Sequence, residues 1–155
     1  MRRIIVALAL VGATLGATLG AAATSAHAQR AAPDLKGTWT GKGKVAVLGS
    51  GDHHPGTQTP TDAARVRELE TTHVVEGQDG QVAWGRSSSS VADKKEPFAW
   101  AIASDNKTIV GADLDGYFRI TLLGRDRMEK CYVHNGLSPS RSVVASCVVM
   151  TRAKR

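Results

Sequence analysis

Residues 96–122 read EPFAWAIASDNKTIVGADLDGYFRITL, and they contain three short apolar segments separated by two turn signals. The second signal, Asp115-Gly116, suits a two-residue type I′ turn, because Gly accepts positive φ freely and Asp tolerates it. A turn at these two residues pairs Ile109 with Leu122 across the hairpin. The stretch therefore predicts antiparallel strands joined by tight turns.

The first signal, at residues 104–107, sets a second register that pairs Trp100 with Gly111. Side chains alternate between the two faces of a strand, so both registers predict one shared apolar face. Its members are Phe98, Trp100, Ile102, Ile109, Phe118, Ile120 and Leu122. Gly111 would lie beneath the large Trp100 ring. Two separate turns thus agree on a three-stranded meander.

The first 28 residues predict an export signal, because Arg2-Arg3 precedes an apolar run over residues 4–20. Ala26-His27-Ala28 then places small residues at the two positions that a signal peptidase reads. A membrane anchor is the alternative, but the run is rich in Ala and Gly and has no basic flank after it. We therefore expect one domain over residues 29–155, located in the periplasm or secreted.

The formal net charge of +6 comes with basic residues scattered along the chain and only 5% aromatic residues. Nucleic-acid binding needs a basic stripe and aromatic side chains for stacking, so that class is not expected. The positive charge is better explained by solubility or by attraction to anionic surfaces.

Cys131 and Cys147 are the two cysteines of the chain, and an even number in an exported protein favours a disulfide. If residues 127–134 and 142–152 form a hairpin, these two positions can face each other. A redox or nucleophilic cysteine is the alternative, but the chain lacks a C-x-x-C motif.

Strand signals occur eight times along the chain. They lie at 36–48, 65–76, 81–88, 97–103, 107–113, 117–123, 127–134 and 142–152. We expect an all-β fold, a single antiparallel up-and-down β-barrel, because closure removes the exposed sheet edges. A two-sheet sandwich is the alternative.

The first predicted strand carries Gly37 and Trp39 in a Gly-x-Trp motif, and the last carries Arg152. This arrangement resembles the calycins, the group of lipocalins, fatty-acid-binding proteins and avidins. The resemblance implies that Arg152 lies across the Trp39 ring where the last strand closes on the first. The tryptophans of the avidin biotin pocket have no convincing match here, so biotin binding is not implied.

A possible metal site is suggested by Asp52-His53-His54, but adjacent histidines usually point apart and zinc needs three or four ligands. We therefore expect no metal and no cofactor. The chain has no G-x-S-x-G, H-E-x-x-H or phosphate-loop motif, which predicts that it is not an enzyme.

The predicted ligand site is the barrel lumen. A turn at Asp79-Gly80 pairs Val75 with Trp84 and His73 with Arg86, and the Trp84 ring favours an inward orientation for this face. The ligand-binding residues would be Trp84, Phe98, Trp100, Phe118, His73 and Arg86. We expect a small apolar or aromatic ligand, with Arg86 favouring an anionic group.

The same aromatic side chains could instead fill a dry core. The alternative function is then a secreted or envelope interaction or inhibitor module, acting through loops 50–64 and 135–141. The oligomeric state is not fixed by the sequence.

Overall fold

The computed structural model describes residues 31–49, 64–90, 92–135 and 142–154, with only the backbone for residues 92–94 and 135. It contains eight antiparallel strands, each paired with the next, and the last strand pairs with the first to close a barrel. The strands are β1 (Gly37–Leu48), β2 (Arg65–Asp79), β3 (Val82–Ser89), β4 (Ala92–Ile102), β5 (Thr108–Ala112), β6 (Gly116–Gly124), β7 (Arg127–Asn135) and β8 (Val143–Arg152). The predicted all-β barrel is confirmed.

This closed eight-stranded layout is the one that the resemblance to calycins implies. Across the described ranges, no helix is long and apolar enough to cross a membrane. The predicted export signal over residues 1–28 lies outside the described residues, so export and its address stay predictions.

The barrel has a packed half at the end where β1 begins and β8 ends. Its interior is filled by large apolar side chains that are at most 4% exposed. They include Trp39, Trp100, Ile102, Ile109, Ile120, Met128 and Met150. These side chains therefore form a closely packed apolar core at this end of the barrel.

Arg152 closes this end as predicted, with its guanidinium 4.5 Å from the centre of the Trp39 ring. The same guanidinium donates hydrogen bonds to the carbonyl oxygens of Asp34, Lys36 and Arg125. The Trp39 indole N–H donates to the carbonyl oxygen of Leu35 at 2.8 Å. One cation thus ties the entry segment and the last strand over a buried tryptophan.

The meander of β4, β5 and β6 has the predicted apolar face but one different register. Trp100 pairs with Gly111 as predicted, and a Cβ on Gly111 would lie 2.4 Å from Trp100 Cδ1. Ile109, however, pairs with Ile120 rather than with Leu122. A shift of two residues keeps every side chain on its own face, which is why the predicted face survives.

The predicted Asp115-Gly116 turn is wrong, because Gly116 already belongs to β6 and the connection runs over residues 113–115 with Asp113 as its anchor. Asp113 Oδ1 accepts hydrogen bonds from the backbone N–H groups of Asp115 at 3.1 Å and Gly116 at 2.8 Å. This aspartate-centred turn supplies locally the hydrogen bonds that the two-residue turn would have supplied.

The predicted inward orientation of Trp84 and Arg86 is also wrong. The chain turns at residues 80–81, and an extra residue between Val75 and Gly77 shifts the register of β2 against β3. An odd shift moves side chains to the opposite face. Trp84 is accordingly 48% exposed, and Arg86 forms an ion pair at 3.4 Å with the exposed Glu76.

The predicted disulfide between Cys131 and Cys147 is confirmed, and the two residues are register partners of β7 and β8. Cys147 is exposed, so the pair lies on the outer surface of the barrel. By alternation, the neighbours Lys130 and Tyr132 project towards the inside. The disulfide therefore fixes which side chains of β7 reach the lumen.

Candidate functional site

The other half of the barrel contains a cavity of about 90 Å³, at the end where β1 ends and β8 begins. Its lining combines an apolar strip with many polar side chains. The polar members include Thr71, His73, Ser87, Glu96, Asp113, Lys130, Tyr132, His134 and Ser146. The lumen is thus divided into a packed apolar half and a polar half that has free space.

Lys130 is the central polar group of the cavity, and it is only 4% exposed. Its Nζ lies 3.1 Å from His73 Nε2 and 3.3 Å from Thr71 Oγ1. The Nζ also lies 5.5 Å from the centre of the Phe118 ring, within the range of a cation–π contact. Within the described residues, no carboxylate forms an ion pair with Lys130.

Burial lowers the pKa of Lys130 to about 8, and the negative charge of Asp113 opposes this change. An amine in an apolar interior favours its neutral form, because removing a charge from water is costly. The negative charge of Asp113 offsets only part of the cost of burying the charged Lys130 amine. Lys130 therefore exchanges its proton closer to neutral pH than an ordinary lysine does.

His73 is neutral at physiological pH, since burial and then the charge of Lys130 hold its pKa well below the usual value. A charged Lys130 can only donate, so Nε2 accepts its hydrogen bond and the ring proton lies on Nδ1. Within the described part of the chain, that Nδ1 has no hydrogen-bond partner. The ring is enclosed by Phe98, Trp100 and Phe118, with centroids 5.2–5.5 Å away.

Asp113 and Tyr132 form a second polar pair in the cavity wall. The Tyr132 hydroxyl donates to Asp113 Oδ1 at 3.3 Å. Burial raises the pKa of Asp113, and burial together with the nearby Asp113 carboxylate raises the pKa of Tyr132. Gly116 makes room for this pair, because a Cβ there would lie 2.6 Å from Tyr132 Oη.

The cavity lining carries positive and negative groups together. Glu96, Asp113 and Asp115 contribute carboxyl groups, while Lys130 contributes the cation. Because Lys130 hydrogen-bonds to His73 and Thr71 alone in the part of the chain that the structure describes, a ligand oxygen can approach it, and ligand donors can meet the carboxyl groups. The arrangement is suited to a molecule that both accepts and donates hydrogen bonds.

The sequence-predicted site is only partly assembled. His73 and Phe118 line the cavity, whereas Phe98 and Trp100 stack on each other at 4.4 Å and do not line it. Trp84 and Arg86 lie on the outside of the barrel. Whether any of these residues binds a ligand stays a prediction.

Sequence reasoning missed Lys130, Tyr132, Asp113 and Thr71, although one signal was present. An outward disulfide at Cys131 requires that its neighbours on the strand point inward. A lysine between two inward positions, Met128 and Tyr132, was then the residue to identify.

Across the described ranges, no group of three or more His, Cys, Asp or Glu side chains is arranged to hold a metal ion. His53 and His54 lie outside those ranges, so the expectation for them is not tested.

No family model and no curated protein matches this chain. Among solved structures, an S-type phycobiliprotein lyase, CPES, from Guillardia theta matches with a TM-score of 0.44 and 12% sequence identity. The match covers 78% of this chain and 89% of the lyase chain. At this level of similarity the match transfers no residue role and no ligand.

One prediction is corrected by this comparison. The absence of a catalytic motif predicts that the chain is not an enzyme, and the match to a lyase stands against that prediction without assigning an activity to this chain. A missing sequence motif does not separate binders from enzymes here. The chemistry of the cavity has to be derived from its own side chains.

Proposed function

We propose that this protein, exported as its first 28 residues predict, binds a small polar molecule in the polar half of its barrel. What supports the proposal is Lys130, a buried cation that borders free space and whose hydrogen-bond partners among the described residues are neutral. Burying an ammonium without a counter-charge is costly. A ligand oxygen placed against Nζ would reduce that cost, and this reduction would contribute to the binding free energy of the ligand.

The size of the cavity limits the ligand to a few non-hydrogen atoms. Pockets for drug-sized ligands enclose roughly 300–1,000 Å³, whereas this cavity is about 90 Å³. The lumen is also more polar than the sequence predicted, since the stacked Phe98 and Trp100 belong to the packed half. The proposed ligand is therefore smaller and more polar than the expected aromatic molecule.

The charges of the lining define the ligand further. Lys130 and the Thr71 hydroxyl select an acceptor such as a carbonyl or carboxylate oxygen. The carboxyl groups of Glu96 and Asp113 line the same cavity and select hydroxyl or amino donors. A short carbonyl or carboxyl compound with a hydroxyl or amino substituent satisfies both requirements.

The test is native mass spectrometry of the protein purified from its own host, followed by identification of any compound released. Lys130→Met keeps the length of the side chain and removes its charge, while Lys154→Met makes the same change at an exposed position. We expect a bound small molecule in the parent protein and in Lys154→Met but not in Lys130→Met. Equal occupancy in all three would contradict the role of Lys130.

A panel titration followed by amide NMR provides the second arm. Small hydroxy and keto acids should shift signals of β2 and β7 near His73 and Lys130. An absence of shifts across the panel, together with no co-purified compound, would end the binding proposal.

A second candidate function, a protein-interaction module, is favoured by the outer surface, whereas the predicted interaction loops 50–64 and 135–141 lie almost wholly outside the described residues. The outer apolar patch consists of Val82 and Trp84 on β3, Val110 on β5 and Tyr117 on β6, which are 48–65% exposed. Exposed apolar clusters of this kind often mark contact surfaces. Sedimentation at increasing concentration tests self-association, and Val110→Lys should abolish it where it occurs.

A further inference from the structure

We propose that Lys130 is a carbonyl-capturing nucleophile, which condenses with a small aldehyde or ketone in the cavity to form an imine. The inference rests on the proposed function, because it names the ligand class of the same cavity. A lysine that is removed from water and freed of ion pairs is the type of residue that forms Schiff bases in proteins.

The geometry leaves Nζ available to an incoming carbonyl carbon. Nζ borders the cavity, and its two hydrogen-bond partners, His73 Nε2 at 3.1 Å and Thr71 Oγ1 at 3.3 Å, are neutral. An ion pair would keep the lysine protonated and occupied, but the described residues place no carboxylate within ion-pair distance of Lys130. The amine can therefore lose a proton without breaking a salt bridge.

The proton balance near neutral pH supports the reaction. The Lys130 pKa is lowered to about 8 by burial. Roughly one molecule in ten then carries a neutral amine at pH 7, since each pKa unit is a tenfold ratio. An unperturbed lysine, with a pKa near 10.4, offers far less neutral amine at the same pH.

The groups that face Lys130 come from several strands. His73 and Thr71 lie on β2, Phe118 on β6 and Tyr132 on β7, and Asp113 precedes β6. Asp113 acts on Lys130 through its negative charge without a direct ion pair. That charge also stabilises the cation that a protonated imine retains.

The reaction balances without an oxidant or a reductant. The Nζ lone pair forms a bond to the carbonyl carbon, and the C=O π electrons move to the oxygen. The two protons of the neutral amine leave the nitrogen in turn through His73 Nε2 and are taken up by the former carbonyl oxygen, which departs as water. The products are one imine and one water from one amine and one carbonyl compound.

The first test compares lysines within the unmodified protein, so it needs no variant to fold. The disulfide-bonded protein is incubated with propanal and sodium cyanoborohydride at pH 7, and each propylated lysine is quantified by peptide mass spectrometry. We expect Lys130 to be alkylated about tenfold faster, or more, than the exposed Lys42 and Lys154, because burial raises the neutral fraction of the Lys130 amine. Equal or slower alkylation of Lys130 would overturn the inference.

A variant tests the part assigned to His73. His73→Phe keeps a ring of similar size in the aromatic enclosure but removes the proton relay. Alkylation of Lys130 should slow several-fold in this variant while Lys154 is alkylated as before. An unchanged rate at Lys130 would remove His73 from the reaction.

Propionamide separates failure of this inference from failure of the proposed function, because it resembles propanal in size but does not condense with amines. Amide shifts around Lys130 with propionamide, without fast alkylation by propanal, would leave binding in place and reject imine formation. If neither amide shifts nor fast alkylation is observed, both the binding proposal and imine formation are rejected. Fast alkylation, with or without propionamide shifts, would support the nucleophilic lysine.

Discussion

Replacing Arg152 with Ala should destabilise the barrel more than any other single change at its exposed rim. The guanidinium is close to Trp39 at 4.5 Å, and its side chain is only 7% exposed. It donates to three carbonyl oxygens, those of Asp34, Lys36 and Arg125. The substitution removes all of these contacts at once.

The expected loss of stability can be estimated from the individual contacts that Arg152 makes. A cation–π contact contributes about 0.5–2 kcal/mol, and each net hydrogen bond contributes about 0.5–1.5 kcal/mol. The three carbonyl groups lie near the surface, where water replaces part of what Arg152 supplied. We therefore expect a decrease of about 2–4 kcal/mol in the free energy of unfolding, or roughly 6–15 °C in Tm.

The assay is thermal and urea unfolding followed by far-UV circular dichroism with the disulfide intact. Lys154→Ala is the matched control, since it removes a cation two residues away that is exposed. Arg152→Lys should give an intermediate loss, because it keeps the charge but not the planar fork of donors. Equal effects of Arg152→Ala and Lys154→Ala would refute the closure argument.

Three further predictions concern the lumen and the outer surface. Between pH 8 and pH 10 the free energy of unfolding should rise by up to about 3 kcal/mol, because Lys130 loses its proton at about pH 8 in the folded protein and only at higher pH in the unfolded chain. Lys130→Met should flatten this rise in urea titrations. A parallel rise in the parent protein and the variant would contradict the prediction. Gly116→Ala should lower the free energy of unfolding by about 1–3 kcal/mol, because the added Cβ would lie 2.4 Å from the Val133 carbonyl oxygen. In the control Gly124→Ala the added Cβ meets no atom within 4 Å, so its stability should be nearly unchanged. Equal melting temperatures of the two variants would count against the close packing at Gly116. Acrylamide should quench one of the three tryptophans efficiently, because only Trp84 is substantially exposed, and Trp84→Phe should remove the quenchable component.

The sign of the pH effect depends on which group titrates. Lys130 stabilises the fold only after it has lost its proton, so its contribution grows as pH rises from 8 towards the pKa of an unfolded lysine. Tyr132 works in the opposite direction, since its pKa is raised in the fold and the unfolded tyrosine ionises first. Above about pH 10, near the ordinary tyrosine pKa, the rise in stability should therefore level off and reverse.

The sequence by itself determined the parts of this protein that depend on local periodicity and on nearby partners. Alternation along β4, β5 and β6 fixed the apolar face of the meander, even though the β5–β6 register differed by two residues. The disulfide followed from two cysteines on neighbouring strands of one hairpin. Closure of Trp39 by Arg152 followed from a resemblance carried by both ends of the barrel.

Only the tertiary structure decided which side chains form the site. One extra residue between Val75 and Gly77 moved Trp84 and Arg86 from the predicted lumen to the surface. Lys130 took the place of Arg86 as the cation of the cavity. In its own segment, Met-Glu-Lys-Cys-Tyr, this lysine follows a glutamate, as many surface lysines do, and nothing local lowers its pKa.

The physical reason is that the side-chain period of a strand is two. Each single-residue irregularity therefore inverts the inner and outer faces beyond it. Local sequence determines that a strand forms, but pairing with distant strands determines which face is inside and how much space remains there. Burial then changes the chemistry, because Lys130 owes its lowered pKa to the closed barrel around it rather than to its neighbours in the chain.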